Sequence, residues 1–313
     1  MTILNASPGQ TVHLECHGRG ISLTVNEHTD YTGTALWDSA IILAKCMEHF
    51  FPIEASKSSP HHQQTHSGGN DTALKGKRAI ELGAGTGLAG IACALCNCDV
   101  VLTDVQEVLP ALRASVARNL GKKDEIQVKE LKWGNDSHVQ ATEPPFDLIL
   151  AADCVFSMEL VEPFVGTIVQ AMAPSGVALI AVEIRSRSVS AEFIQQASQF
   201  FDMRKIPLEV LGGAYLHPAL AVWCLTFSME DPWWDVIRRW PVCNPQQQIK
   251  ALDNQMVEVV LADPPRLVET AQLKTHPHSD RRKADESDAK PTYLRKISSW
   301  GTYGGTGKFG TFC

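Results

Sequence analysis

Three carboxylates and a run of glycines carry the chemistry this sequence could perform. The run is Glu81-Leu82-Gly83-Ala84-Gly85-Thr86-Gly87-Leu88-Ala89-Gly90, after the apolar lead-in Arg78-Ala79-Ile80. Glycines let the backbone turn tightly and let a ligand lie against it, since no Cβ intervenes. A second apolar run, Val100 to Thr103, ends in Asp104, a carboxylate suited to ribose hydroxyls. From Gly83 to Asp104 is 21 residues, close to the ~20 of a nucleotide-binding βαβ unit. The pairing points to an adenosine-containing cofactor rather than to a glycine turn without a ligand.

Gly85-x-Gly87-x-x-Gly90 also fits a dinucleotide fingerprint, which alone is a weak signal. Glu81 discriminates. A carboxylate two positions before the first glycine would repel a pyrophosphate but suits the ammonium group of S-adenosylmethionine. No later segment reads as a nicotinamide site. The expected cofactor is therefore S-adenosylmethionine and not NAD. The third carboxylate is Asp153, at the end of the apolar run Phe146 to Ala152, with Phe156 one turn further on.

The elements that must position these residues follow from periodicity. Alternation around Gly18-Arg19-Gly20 predicts a β-hairpin from Thr11–Glu15 and Ile21–Val25. Trp37-Asp38 opens an amphipathic helix over 39–51, stopped by Pro52. From Arg78 the pattern predicts strands at 78–82, 99–103, 126–131, 146–152 and 176–183, with helices near 88–96, 107–119, 159–172 and 189–200. Two β-like runs, 203–211 and 219–227, complete it. Such alternation specifies an α/β fold, a mainly parallel sheet with helices on both faces. Ligands bind beyond the carboxyl ends of such strands, which singles out Glu81, Asp104, Trp133 and Asp153. The expected domains are a hairpin extension (1–35), a cofactor-binding domain (36–227, with a polar, flexible 55–71 loop) and an appended, partly disordered segment (228–313).

Composition narrows the function classes. Hydrophobic residues make up 44% and charged residues 20% of the 313 residues, the balance of a soluble globular chain. A net charge of −7 argues against a general nucleic-acid binder, which needs clustered Lys and Arg. The first ten residues show no secretory signal, and no apolar run reaches the ~20 residues of a membrane span. The nine cysteines lack framework spacing and read as reduced thiols of a cytosolic or nuclear protein. Cys93-x-x-Cys96-x-Cys98 lacks a second ligand pair and reads as small buried hydrophobes rather than a metal site. His61, His62 and His66 belong to the solvated loop. Asp263-Pro264-Pro265-Arg266 echoes a base-methylating Asp-Pro-Pro-Tyr motif, but Arg266 replaces the stacking aromatic and the motif is off its usual strand.

Taken together, Trp37-Asp38, the Glu81–Gly87 turn, Asp104, Lys129-Glu130-Leu131-Lys132-Trp133-Gly134 and Asp153-Cys154-Val155-Phe156 resemble the family 16 protein-lysine methyltransferases over roughly residues 10–227. The resemblance implies a class I methyltransferase sheet with an antiparallel last strand. It also implies cofactor contacts from Trp37, Gly83, Ala84, Gly85, Asp104, Trp133 and Ala152. Asp153 would capture and orient a lysine amine, and Phe156 would wall its channel. That aromatic is Phe rather than Tyr, so no role needing a phenol hydroxyl carries over. Val161-Glu162-Pro163-Phe164 and Lys205-Ile206-Pro207-Leu208-Glu209 are similar to the branch acting on valosin-containing AAA ATPases. The implied partner is thus a protein of that kind, with an Hsp70 chaperone or an elongation factor as the alternative, and the enzyme a monomer. A small-molecule or base methyltransferase, or a non-catalytic binding module, remains open on the same fold.

Overall fold

The computed structural model describes residues 10–25, 35–53, 74–121, 126–211, 217, 219–227 and 241–252. All lie within the unit Met1–Arg266; the unit Leu267–Cys313 falls outside them, as do the 55–71 loop with its histidines and Asp263–Arg266.

Strands β1 (Thr11–Cys16) and β2 (Arg19–Thr24) form the antiparallel hairpin read from the sequence. Helix α1 (Asp38–Phe50) follows. Then come β3 (Arg78–Leu82), α2 (Leu88–Leu95), β4 (Asp99–Asp104), α3 (Leu109–Leu120) and β5 (Ile126–Glu130). The second half is α4 (Asp136–Ala141), β6 (Phe146–Ala152), α5 (Met158–Ala171), β7 (Met172–Glu183), α6 (Arg187–Ala197), β8 (Asp202–Ile206) and β9 (Leu220–Thr226).

Among the described residues the main sheet has seven strands in the order β5-β4-β3-β6-β7-β9-β8. The pairs from β5 to β7 are parallel. Strand β9, the last of the described strands, inserts antiparallel between β7 and β8. The chain runs outward from β3 through β4 to β5 and then crosses back to β6. The order therefore reverses between β3 and β6, and the crevice at a topological switch point is where such sheets bind ligands.

Both faces of the sheet are covered, so the central strands read as continuous apolar runs rather than alternating ones. On β6, Leu148 and Leu150 pack with α1, α2 and α3, whereas Ile149 and Ala151 pack with α5 and α6. The hairpin is tied to α3 by Asn119, whose Oδ1 accepts the Ser22 amide at 2.7 Å and whose Nδ2 donates to the Ser22 carbonyl at 2.9 Å.

Two elements correct the sequence reading. Residues 208–211 form a 3-10 helix after Pro207 rather than the end of a strand. Helix α4 went unread because six residues are too few for a periodicity. Its Asn135 cap, accepting the His138 amide, was the available signal. Beyond β9, residues 245–252 are helical and pack back on the domain. The Cys243 amide donates to the Met203 carbonyl of edge strand β8 at 2.7 Å, and Leu252 is 3% exposed in the core beside Ile249.

Candidate active site

The glycine turn begins where β3 ends. Gly83 takes φ 62°, a left-handed conformation that a side chain disfavours. A Cβ there would lie 2.9 Å from Cys154 Sγ and 3.1 Å from Trp133 Cζ2. Only glycine lets the turn sit this close to the Cys154 and Trp133 side chains, which follow β6 and β5. Gly90 serves packing instead, since its Cβ would lie 2.0 Å from Leu102 Cδ2 and 2.6 Å from Glu81 Oε2. Its absence lets α2 close onto the sheet. The turn is pinned to β4 by the Ala84 amide, which donates to the Thr103 carbonyl at 2.9 Å.

Glu81 has a different setting from the one its position suggested. It is 1% exposed, and Oε2 accepts the Gly90 amide at 2.8 Å, at the start of α2. Burial pushes its carboxyl up to about 8, opposed by the Gly90 bond and reinforced by nearby Asp104. The carboxyl ties the turn to the helix, where a buried acid complements the helix N-terminus.

Asp104, at the end of β4, closes on the same turn. Oδ2 accepts the Gly85 amide at 2.8 Å and Oδ1 the Val105 amide at 2.7 Å. Burial raises its carboxyl to about 6 despite those bonds. Each oxygen keeps acceptor capacity for a hydroxyl. Trp133 follows β5, whose path is set by the Leu131 amide donating to the Asp104 carbonyl at 2.9 Å. Its indole rests 4.8 Å from the Phe164 ring and against Gly83. A turn that only glycine fits, a strand-end carboxylate and an indole edge form a cradle suited to an adenosyl group: Asp104 would hold the ribose and Trp133 would cover the adenine.

Ala152 and Asp153 end β6 across the switch point, where Leu82 pairs with Ala151. Asp153 is 9% exposed at φ 59°, and its amide donates to the Ala181 carbonyl at 2.8 Å. Burial raises its carboxyl above the usual range, while Arg185 opposes that rise. Arg185 escaped the sequence reading. Nη1 lies 2.7 Å from Asp153 Oδ2, and its guanidinium carbon is 4.8 Å from the centroid of Trp37, at the head of α1. Phe156 stands 50% exposed at the rim. The structure thus gathers the sequence-derived residues at one end of the sheet, with Glu81 turned inward beneath them.

Seven of the eight described cysteines are buried. Cys93, Cys96 and Cys98 are buried, and no group of three potential metal ligands occurs among the described residues. Burial raises the Cys96 thiol to about 12, and its Sγ lies 3.1 Å from His17 Nε2.

The sheet order, the switch-point turn and the strand-end carboxylates define a class I, S-adenosylmethionine-dependent methyltransferase. Residues 19–200 match the methyltransferase family 16 profile, described as "Lysine methyltransferase". Zebrafish protein N-lysine methyltransferase METTL21A is 32% identical over 187 residues, 59% of this chain and 76% of the relative. Mouse EEF1A lysine methyltransferase 3 is 34% identical over 123 residues, 39% of this chain and 52% of the relative. A solved putative methyltransferase, SMU.776 complexed with SAH, is 13% identical at a TM-score of 0.45, covering 71% of this chain and 57% of that one. The chain belongs to the lysine methyltransferase family, and it is a protein-lysine methyltransferase that uses S-adenosylmethionine.

Proposed function

We propose that the reacting lysine enters past Phe156 and that its amine meets Asp153. The observation that carries this reading is the placement of Asp153 directly after Ala152, at the β3–β6 switch point, with an exposed aromatic three residues on. S-adenosylmethionine supplies there an electrophilic methyl, which a neutral amine accepts while the sulfur keeps the bonding electron pair. At a reference pKa of 10.4 roughly one lysine in a few thousand is neutral at pH 7. The Phe156 ring covers the lysine stem and thins the water around the amine, which lowers that pKa. Asp153 accepts an N–H and turns the lone pair, and the proton goes to water. Most of the acceleration then comes from alignment.

The acceptor is a protein, and its identity is part of the proposal. The apolar residues of the segments similar to the AAA ATPase branch are packing residues, with Val161, Phe164, Ile206 and Leu208 buried and Glu162 and Glu209 exposed. Buried residues report fold rather than specificity, which resides in exposed loops. The name of the mouse relative supports an elongation factor as the first candidate, ahead of an AAA ATPase or an Hsp70 chaperone. A reducing compartment, cytosolic or nuclear, belongs to the same reading, and the eight described cysteines, all free thiols, support it. The test is to incubate the enzyme and methyl-labelled S-adenosylmethionine with extract and identify the labelled protein and residue. Label on a lysine supports the reading; label on a nucleic acid or small molecule sinks it.

A further inference from the structure

Arg185 lies two residues past the end of β7 and engages three groups at once. Nη1 donates to Asp153 Oδ1 at 2.9 Å and lies 2.7 Å from Oδ2 in the same ion pair. Nη2 bonds the Glu183 carboxylate, and the guanidinium stacks over Trp37. The Asp153 side chain is 5% exposed and that of Arg185 35%. The ion pair therefore spans the boundary between the strand ends and solvent, where the acceptor amine must arrive. A planar fork that both bonds a carboxylate and stacks on an indole is arginine geometry, which lysine does not reproduce.

We propose that Arg185 is a positioning residue for methyl transfer, fixing the Asp153 carboxylate and offsetting its charge so that a lysine amine is hydrogen-bonded there without being held as an ammonium. This rests on the proposed meeting of the amine with Asp153. An uncompensated carboxylate beside an amine favours its charged form, which cannot attack. A guanidinium on the same oxygens, though shared with Glu183, weakens that pull and leaves the carboxylate able to accept one more N–H. Arg185 is a cation in direct contact with the Asp153 carboxylate, and acids make up most of the other charged groups around it. Glu183 is acidic and partly exposed. Glu81 and Asp104, at the ends of β3 and β4, are buried acids whose carboxyls are raised to about 8 and about 6. Asp38 adjoins Trp37 on α1, and Arg187 opens α6.

The test uses the full chain, tritium-labelled S-adenosylmethionine and protein extract from cells lacking the enzyme, with incorporation rates followed across pH. Arg185→Met should be at least about tenfold slower near neutral pH and recover to within about threefold of wild type about two to three units higher, since each unit of pKa displacement is tenfold in neutral amine. Arg185→Lys should lose rate but keep the wild-type profile position, because it retains the charge without the fork. Cofactor titration and thermal melting establish that both variants are folded. A uniform loss in Arg185→Met at every pH, or a gain, overturns the inference. Asp153→Asn separates the two layers. If that variant matches wild type, the placement of the amine at Asp153 fails and the inference falls with it. If it is inactive while the Arg185→Met profile superimposes on wild type, the role given to Arg185 alone fails. Label in no protein with wild-type enzyme overturns both.

Discussion

Asp104 Oδ2 accepts the Gly85 amide at 2.8 Å, so the residue suited to the ribose also shapes the turn beneath it. Asp104→Ala should therefore weaken S-adenosylmethionine binding by about 1.5–3 kcal/mol, the range for hydrogen bonds to charged groups. Affinity should also fall in wild type as pH drops through about 6, where the buried carboxyl takes up its proton. Calorimetric titration reads both effects. Unchanged affinity in a folded variant would remove Asp104 from the site.

Glu81 gives the ligand-free protein a pH-dependent stability. Its folded carboxyl is raised from 4.5 to about 8, so the folded state holds a proton that the unfolded chain releases. The corresponding stability is fully present below pH 4.5 and is lost as pH rises through about 8. Asp104 acts in the same direction at lower pH, leaving Glu81 to dominate between about 6 and 8. Melting temperature should fall across that window, and Glu81→Gln should flatten the slope. An equally steep slope in the variant would refute this.

Gly83→Ala places a methyl group against Trp133 and Cys154 at a left-handed φ. The backbone alone costs about 1–2 kcal/mol, and the indole must shift. We expect cofactor affinity to drop by roughly tenfold or more, a loss of at least ~1.4 kcal/mol, with the fold retained by circular dichroism. Wild-type affinity would mean that the cradle is not where the cofactor lies.

Leu252 completes the core from beyond the last strand. Leu252→Ala should cost about 2–5 kcal/mol in urea unfolding. Removing everything after residue 227 should cost more, because it also uncovers the β8 edge that Cys243 bonds. A variant as stable as wild type would show that residues 241–252 are dispensable to the domain.

What could be read from the sequence was local. The β3-turn-α2 unit, Asp104 and Asp153 announce themselves by fixed offsets from apolar runs, and the structure sets them at the carboxyl ends of the neighbouring parallel strands β3, β4 and β6. Arg185 did not, because its partner Asp153 is 32 residues away and Trp37 is more distant still. Their meeting depends on β7 lying next to β6 and on the head of α1 bringing Trp37 to Arg185, which is tertiary register rather than local pattern. The available signal was its place two residues beyond β7, at a strand end as Asp104 and Asp153 are. Glu81 misled for the opposite reason. Its offset from the glycines did not announce that its carboxyl would be buried and would accept the Gly90 amide. Helix α4 and the 3-10 turn were too short to leave a period.

Methyl incorporation by Asp153→Asn is the most direct test of the proposed site. Wild-type and variant proteins are given labelled S-adenosylmethionine and the acceptor protein identified from extract, and the modified residue is located by tandem mass spectrometry. The expected result is methyl on a lysine with wild type, a loss of at least about a hundredfold in the variant from misplacement of the amine, and cofactor affinity within a few-fold of wild type. A variant that methylates the same lysine at the wild-type rate would contradict the placement of the reaction at Asp153.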